Sequence, residues 1–108
     1  MRIVTRTRLL KFGALHPPAV GPLRAWEVAV RNAAWTCSND VKQTFRNADW
    51  VNSLWVFDVS RYRIIADVRY QFTLPSGTQI PAVLYIKSVL THPEYDSWSA
   101  SKAGKAKR

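Results

Sequence analysis

The sequence predicts a small α+β domain in which N-terminal helices cover one face of an antiparallel sheet and a short helix follows the last strand. Apolar residues recur at helical spacing in the first half of the chain, and the period changes to two from Asn52 onward. The strand–turn–strand pattern of the second half favours antiparallel pairing. With 108 residues, 47% of them hydrophobic, the chain is long enough for one domain with a true core.

The first half contains three segments with helical spacing or helix-start chemistry. After a short strand at 2–5, the apolar spacing at 9–12 predicts a short helix. Three prolines and two glycines indicate a connection at 13–22, and the best helical pattern follows at 22–35. The cluster at 38–40, Ser-Asn-Asp, is typical of an N-cap and predicts another short helix.

The second half alternates between strands and turns. Residues 54–59 are nearly all apolar, as in a strand covered on both faces, and Ser60 begins a tight connection. The next strand is predicted to be two-faced, with one face carrying Arg61, Arg63, Ile65, Asp67 and Arg69 and the other carrying Tyr62, Ile64, Ala66, Val68 and Tyr70. Residues 71–81 predict a long hairpin connection. In the last strand, alternation places Leu84, Ile86 and Leu90 on one side and Tyr85, Lys87 and Val89 on the other.

The last strand runs directly into a predicted helix. Thr91 followed three residues later by Glu94 is a capping box, and Pro93 is tolerated in a first helical turn. A capped turn explains these residues but not His92, Tyr95 and Asp96, which stand at the same junction. A functional His92 would transfer protons near neutral pH, whereas in the structural alternative Tyr95 belongs to the core and Asp96 only complements the helix dipole.

Charge is the strongest general indication of function. Sixteen Lys and Arg against seven acids give a net charge of +9, and no acid occurs before Glu27. Such an excess favours a polyanionic partner, above all nucleic acid; an anionic membrane surface, an acidic protein and simple solubility are the alternatives. No apolar run is long enough to span a bilayer, and the single Cys37 excludes an intramolecular disulfide, so we expect a cytoplasmic protein without membrane association.

The predicted sheet therefore has one apolar face and one cationic, partly aromatic face. If the neighbouring strands pair in register, Lys87 and Tyr85 join the arginines on the cationic face. Cations that hold phosphates beside rings that stack on bases are how a sheet binds RNA. Alternatively, the arginines of an exposed strand serve only to prevent aggregation.

The sequence contains few of the usual catalytic motifs. No His, Asp or Glu spacing matches a metal site, and neither a Ser or Cys nucleophile motif nor a Gly-rich phosphate loop is present. We therefore expect no metal and no cofactor. An enzyme with cations, one His and a Tyr is suited to RNA cleavage, because the RNA's own 2′-hydroxyl can attack the adjacent phosphate.

Three segments, 55–59 (WVFDV), 62–66 (YRIIA) and 85–96 (YIKSVLTHPEYD), resemble the HigB family of toxins, which belongs to the RelE-like mRNA interferases. The resemblance implies a small RelE-like fold with helices packed on a curved antiparallel sheet. It also implies a metal-independent endoribonuclease that cuts mRNA in the ribosomal decoding site. A HigA-like helix-turn-helix antitoxin would be the protein partner, and operator DNA would be contacted only through that antitoxin.

The resemblance also assigns roles to individual residues. Arg63 and Lys87 are similar to phosphate and transition-state contacts, His92 to the proton-transfer residue, and Tyr95 to an orienting or base-stacking group of the same catalytic set. The expected RNA-binding residues are Arg61, Arg69, Tyr85, Asp96, Lys102 and Lys105. Two departures are a short turn before Arg61, which removes a possible substrate-contacting loop, and a long connection at 71–81.

Residues 1–100 are expected to form a single toxin domain, followed by a basic, disordered tail at 101–108. This tail either reaches along a phosphate backbone or is a solvated end without a role. Two other functions remain open at this stage. One is a non-catalytic RNA- or ribosome-binding module derived from a toxin, and the other is a chain whose charge serves mainly to bind an acidic antitoxin.

Overall fold

The computed structural model describes the backbone of residues 1–106 and the side chains of residues 1–100. The helices are Thr7–Leu15 (α1), Val20–Arg31 (α2), Ser38–Thr44 (α3) and His92–Ala106 (α4), and a 3₁₀ turn covers Pro17–Ala19. The strands are Arg2–Val4 (β1), Asp49–Val51 (β2), Leu54–Val59 (β3), Tyr62–Arg69 (β4), Phe72–Thr73 (β5), Gln79–Ile80 (β6) and Val83–Thr91 (β7).

Five of these strands form one sheet in the order β1-β7-β4-β3-β2. The pairs β2–β3, β3–β4 and β4–β7 are antiparallel, whereas β1 runs parallel to β7 at the sheet edge. The α+β prediction is therefore confirmed, with one parallel pair added. A single sequence does not indicate that pair, because β1 and β7 are separated by almost the whole chain.

The predicted connection at 13–22 is mostly helical. Helix α1 continues to Leu15, and α2 already begins at Val20, with Pro22 in its first turn. Prolines are compatible with this path because each of them stands in the first turn of a helical segment, where no intrahelical N–H bond is lost. At its other end α2 stops at Arg31, so Trp35, predicted to lie on this helix, follows it and is buried.

The core lies between α1–α3 and one face of the sheet, and aromatic rings surround Phe57 at its centre. The ring centroid of Phe57 lies 5.4 Å from that of Trp26, 5.3 Å from Phe45, 6.1 Å from Trp35 and 6.5 Å from Trp55. Edge-to-face and stacked pairs at these distances add to the free energy gained by burying the rings. The sheet is thereby held against the helices by closely packed rings.

An ion-pair network around the buried Glu27 links the segment before α1 to α2. Glu27 on α2 is 8% exposed and accepts hydrogen bonds from Arg6 and from Arg31, whose Nη2 lies 3.0 Å from its Oε2. Burial by itself raises the pKa of Glu27, but the hydrogen bonds and charges of the two arginines outweigh it and lower that pKa. The network holds α1 and α2 together beside a groove that they form.

Strand β2 was not predicted, because alternation was expected to begin only at Asn52. It pairs with β3 through a tight turn in which Asn52 and Ser53 have φ values of 52° and 65°. A strand of three residues is too short to show a period of two. By contrast, the hairpin connection predicted at 71–81 is confirmed, with β5 and β6 paired and Gly77 at φ +91° in the turn.

Helix α4 is longer than the short helix that the sequence predicts. Its backbone continues through Ser101 to Ala106, where a disordered tail was expected. The alanines and lysines of this segment are good helix formers, which is compatible with continuation of the helix. Lys107 and Arg108 lie outside the described residues, and the division into a domain at 1–100 and a basic tail stays a prediction.

Phe57 offers a test of the aromatic core. We expect Phe57→Ala to lower the free energy of unfolding by about 3–5 kcal/mol, because it opens a cavity that four neighbouring rings cannot close. Urea denaturation followed by far-UV circular dichroism measures the change. Phe72→Ala is the matched control, since Phe72 is 54% exposed and its truncation should change stability by no more than about 0.5 kcal/mol. Equal losses in the two variants would contradict this assignment of the core.

Candidate active site

Strand β4 has the two faces that its alternation predicts. Tyr62, Ile64 and Val68 are buried on the side covered by α1–α3, and Arg63 and Arg69 lie on the other side. That second side is called the arginine face here and consists of Arg63, Ile65, Asp67 and Arg69 with their paired neighbours Val56, Asp58, Val83, Tyr85, Ser88 and Leu90. Its centre is apolar, because Ile65 and Val56 are buried, and its ends are charged.

A β-bulge in β7 changes the predicted composition of this face. Ile65 pairs with Ser88 and Ala66 with Ile86, so Lys87 is the extra residue between them. One extra residue reverses the alternation beyond it. Therefore Leu90 pairs with Arg63 on the arginine face, while Val89 pairs with Ile64 and packs against the core. The predicted sides of Leu90 and Val89 were wrong, because alternation does not reveal a bulge.

The bulge leaves Lys87 exposed next to the arginine face. Its neighbour Ser88 pairs with Ile65, which is two positions from Arg63 on β4. Lys87 is one residue beyond Ser88, so at the usual rise per strand residue it is offset from Arg63 by about 7–10 Å along the strands. Tyr85, also predicted on this face, pairs with Asp67 and is half-buried there.

Arg63 is held by contacts on two sides. Its Nη1 donates to Oδ1 of Asp58, the residue opposite it on β3, at 2.6 Å, and to the Tyr62 carbonyl oxygen at 3.3 Å. Its guanidinium carbon lies 5.5 Å from the ring centroid of Tyr95 on α4. Because both hydrogen bonds use Nη1, Nε and Nη2 have no partner among the side chains of residues 1–100 and can donate to an anion. The side chain is 17% exposed and thus partly desolvated.

Tyr95 places the first turns of α4 beside the arginine face. It stacks with Trp98, one helical turn later, at a centroid distance of 5.9 Å. His92 lies three residues before Tyr95 and four before Asp96, so it neighbours each of them on the helix surface. His92 and Asp96 are exposed. His92 directly follows Thr91, which pairs with Tyr62, so the histidine stands at the end of the sheet where Arg63 lies.

The capping box predicted at this junction is confirmed. Glu94 Oε1 accepts hydrogen bonds from the Thr91 backbone N–H and hydroxyl, both at 2.9 Å, and the Glu94 N–H donates to Thr91 Oγ1 at 3.5 Å. The hydrogen bonds from Thr91 lower the pKa of Glu94, with a smaller contribution from the charge of His16. This reciprocal cap fixes where β7 ends and therefore where His92 stands.

Other predicted RNA contacts lie away from this junction. Arg61 is not on a strand but in the β3–β4 turn, where Ser60 has a φ of 58°. Arg69 lies six residues along β4 from Arg63, roughly 20 Å away, and its Nη2 pairs with Asp67 Oδ2 at 3.0 Å. Tyr85 is near Arg69 rather than Arg63. The side chains of Lys102 and Lys105 lie outside the described residues.

Two cations that the sequence analysis did not assign to the site, Arg8 and Lys11, lie near the end of β7 that leads into α4. Strand β1 pairs with β7 only at Val83–Tyr85. Beyond it, Arg8 and Lys11 of α1 line a shallow cleft of about 270 Å³ together with Ser88–Leu90. The absence of acids before Glu27 was the signal in the sequence for this cationic surface. Only the packing of α1 beside β7 brings these side chains close to the junction.

His16 is the second group that the sequence analysis did not place at the junction. Its ring stacks on Phe12 at 4.4 Å and lies 6.2 Å from Tyr62, the residue before Arg63. It approaches from the helix-covered side of the sheet, because Phe12 and Tyr62 both belong to the core. No local pattern marks this position, which follows from the packing of α1.

Two properties of the described residues concern metals and membranes. No group of three or more His, Cys, Asp or Glu side chains in that part of the chain is arranged to hold a metal ion. None of the helices described combines the length and the apolar character needed to cross a bilayer.

Residues 19–98 match the HigB toxin family, described as the RelE-like toxic component of a toxin–antitoxin system. The chain belongs to the HigB toxin family. The match runs from the 3₁₀ turn before α2 into α4 and so includes Arg63, Lys87, His92, Tyr95 and Asp96. This HigB-family toxin has a RelE-like α+β fold, and a toxin–antitoxin system includes an antitoxin as partner. No curated protein matches the chain.

Some of the candidate site residues lie inside the range that matches the family, and others lie outside it. His16 and α1, with Arg8 and Lys11, precede the matched range, and Lys102 and Lys105 follow it. The arginine face and the junction between β7 and α4 therefore belong to the HigB-type part of the chain, whereas the neighbouring cations of α1 lie outside it.

The capping box of Thr91 and Glu94 can be tested through the pH dependence of protein stability. The pKa of Glu94 in the folded protein lies below its ordinary value of 4.5. The carboxylate therefore contributes stability that is fully present above that value and is lost as the pH falls through the folded pKa. We expect Glu94→Gln to be less stable than the wild type well above pH 4.5, and the difference to shrink in more acidic buffer. Urea denaturation on both sides of that pH measures it.

Variants of Thr91 provide the control for this test. Thr91→Ala removes the capping hydroxyl and should cost about 0.5–2 kcal/mol, whereas Thr91→Ser keeps the hydroxyl and should cost less. A stability difference between the wild type and Glu94→Gln that stays constant across the acidic range would refute this role for the carboxylate.

Proposed function

We propose that this HigB-family toxin is a metal-independent endoribonuclease that cleaves mRNA and thereby inhibits translation. The observation that supports it most is the environment of Arg63. Its guanidinium is held between Asp58 and Tyr95, retains N–H groups for an anion, and lies at the end of the sheet where His92 begins α4. An oriented cation beside a histidine is what phosphodiester cleavage by a neighbouring hydroxyl needs.

The reaction uses the RNA's own 2′-hydroxyl as nucleophile. The 2′-oxygen forms a bond to the adjacent phosphorus and loses its proton, while the bond from phosphorus to the 5′-oxygen breaks and that oxygen gains a proton. The products are a 2′,3′-cyclic phosphate and a 5′-hydroxyl end. Arg63 stabilises the charge of the pentacoordinate phosphorane, and the exposed Lys87 contacts the phosphate from the neighbouring strand.

His92 transfers protons in this scheme, since an imidazole can do so near neutral pH. Tyr95 holds the Arg63 guanidinium against the sheet and offers its ring to a base, and Asp96 is an orienting neighbour on α4. Arg61, Arg69 and Tyr85 are proposed as contacts farther along the RNA, and Lys102 and Lys105 as contacts beyond the domain. The net charge of +9 makes the binding dependent on salt.

The substrate and partners follow the same proposal. The mRNA is cut while it occupies the decoding site of a translating ribosome. A HigA-like helix-turn-helix protein is the antitoxin, and operator DNA is bound through that protein rather than by the toxin itself. Glu27, Asp58 and Asp67 are each paired with arginine, which leaves the surplus of cations to face acidic partners.

Arg63 and Lys87 provide the first test. We expect Arg63→Ala and Lys87→Ala each to abolish growth arrest in controlled expression, because the loss of one contact to the transition state lowers the rate by about 100- to 1,000-fold. Mapping of mRNA 5′ ends after induction measures the cleavage. Urea denaturation confirms that both variants remain folded.

Arg24→Ala is the matched control, because Arg24 is an exposed arginine on α2 that lines the groove between α1 and α2, away from the junction. It should arrest growth as the wild type does. Full toxicity of both Arg63→Ala and Lys87→Ala would show that this site assignment is incorrect.

His92 separates cleavage from binding. We expect His92→Gln to lower the cleavage rate by about 100- to 10,000-fold while RNA binding stays within about twofold, because the substitution removes a proton-transfer group and not a cation. Cleavage of an mRNA on purified ribosomes and equilibrium binding to a short RNA are the two measurements. Arg24→Ala is again the control and should cleave normally. A wild-type protein that binds RNA without cutting it would favour the non-catalytic RNA-binding module.

A further inference from the structure

An exposed tryptophan stands on the side of the sheet opposite the arginine face. Trp50 lies on the edge strand β2 and pairs with Trp55, which in turn pairs with Ala66 in the core. Paired residues share a face, so Trp50 points to the helix-covered side. It is nevertheless 59% exposed, which is unusual for the largest apolar side chain.

Trp50 borders an open cavity of about 560 Å³ at the side of the domain, which is lined by Ser38, Asn39, Lys42, Trp50, Trp55 and Tyr70. Contacts among its aromatic residues fix the shape of the cavity. The Trp50 ring meets the Trp55 ring edge to face at 5.3 Å, and Trp55 Nε1 donates to the Tyr70 hydroxyl at 3.1 Å. Because Trp55 is buried, it supports Trp50 from below and leaves much of that side chain open to solvent.

A fixed cation lies at the same cavity. The Lys42 ammonium donates to the carbonyl oxygens of Arg46 and Ala48 at 2.9 and 2.7 Å. These bonds fix the position of the ammonium, and Lys42 lines the cavity together with the aromatic residues. Asn39 contributes an amide that can both donate and accept. A supported ring, a cation and an amide are the groups that bind a nucleobase by stacking, by attraction of the phosphate and by hydrogen bonding at the base edge.

Other exposed apolar surfaces have different chemistry. Leu10, Val20 and Val28 are exposed along the groove between α1 and α2, but they are aliphatic and present no ring to a base. Phe72 is an exposed ring on β5 and lines none of the cavities described. Among the described residues, the Trp50 cavity therefore combines exposed ring surface, concavity and positive charge.

We propose that the Trp50 cavity is a second RNA-binding site, in which an unpaired nucleobase stacks on Trp50 beside Lys42. The proposal rests on RNA being the ligand of this toxin, and it adds a contact on the other side of the sheet from Arg63. An RNA that reaches both sites wraps around the β2 edge, and the net charge of +9 favours such extended contact. A structured RNA with a separate unpaired base satisfies the same geometry.

Binding of a short fluorescein-labelled oligoadenylate, followed by fluorescence anisotropy, tests the proposal. All proteins carry His92→Gln, so that the probe is not cut. We expect Trp50→Ala to weaken binding by about 5- to 150-fold, the range for loss of one base–aromatic stack, and Trp50→Phe to stay within about threefold of its parent. Phe72→Ala is the matched control, an exposed ring removed elsewhere, and should bind as the parent does.

A second probe separates stacking from charge. A ribose-phosphate chain of the same length without bases should bind Trp50→Ala and its parent equally, because only phosphate contacts remain. Equal affinity of Trp50→Ala and its parent for oligoadenylate overturns the proposal. So does an equal loss on the chain without bases, which would show that the substitution disturbs the fold. A loss of antitoxin binding with unchanged RNA binding also overturns it, since the cavity would then receive a protein.

The same variants distinguish this proposal from the proposed function. Loss of cleavage in Arg63→Ala together with normal oligoadenylate binding by Trp50→Ala leaves the endoribonuclease in place and removes only the second site. Failure of the His92→Gln parent to bind any RNA, together with no cleavage by the wild type on ribosomes, overturns both.

Discussion

The pairing of β4 with β7 is the interaction on which the rest of the site depends. It places Arg63 next to the end of β7, and its bulge at Lys87 decides which residues of β7 face the core. Without the bulge, alternation would put Leu90 in the core and Val89 outside; with it, both are reversed and Lys87 stands unpaired. The bulge lies five residues before the start of α4, so it also sets the direction from which His92 and Tyr95 approach the arginine face.

The Arg63 side chain is held in one orientation, and its Nε and Nη2 groups can still donate to a ligand. Asp58 neutralises part of its charge, and the Tyr95 ring lies against its guanidinium, so the side chain would lose little further freedom on binding an anion. The Asp58 carboxylate also weakens the attraction of the Arg63 site for anions. Because its donors are already oriented, Arg63 is suited to the phosphate contact proposed for it.

Candidate ligand-binding residues lie on both sides of the five-stranded sheet. The arginine face offers cations and the α4 junction, while the helix-covered side ends at β2 in the Trp50 cavity. Arg8 and Lys11 on α1 add positive charge at the exposed edge of β7, outside the part of the chain that matches the HigB family. The positive charge of this toxin is therefore distributed around the domain rather than confined to one patch.

The sequence by itself determined the α+β class, the two faces of β4, the capping box at Thr91 and Glu94, and the identity of the residues at the β7–α4 junction. Each of these follows from local chemistry: side-chain period, cap geometry and net charge need no distant partner. Only the tertiary structure decided the bulge at Lys87, the contacts of Arg63 with Asp58 and Tyr95, the approach of Arg8 and His16, and the exposure of Trp50. These depend on which strands pair and on how helices pack across them, and residues far apart in the chain carry no local pattern that reveals either.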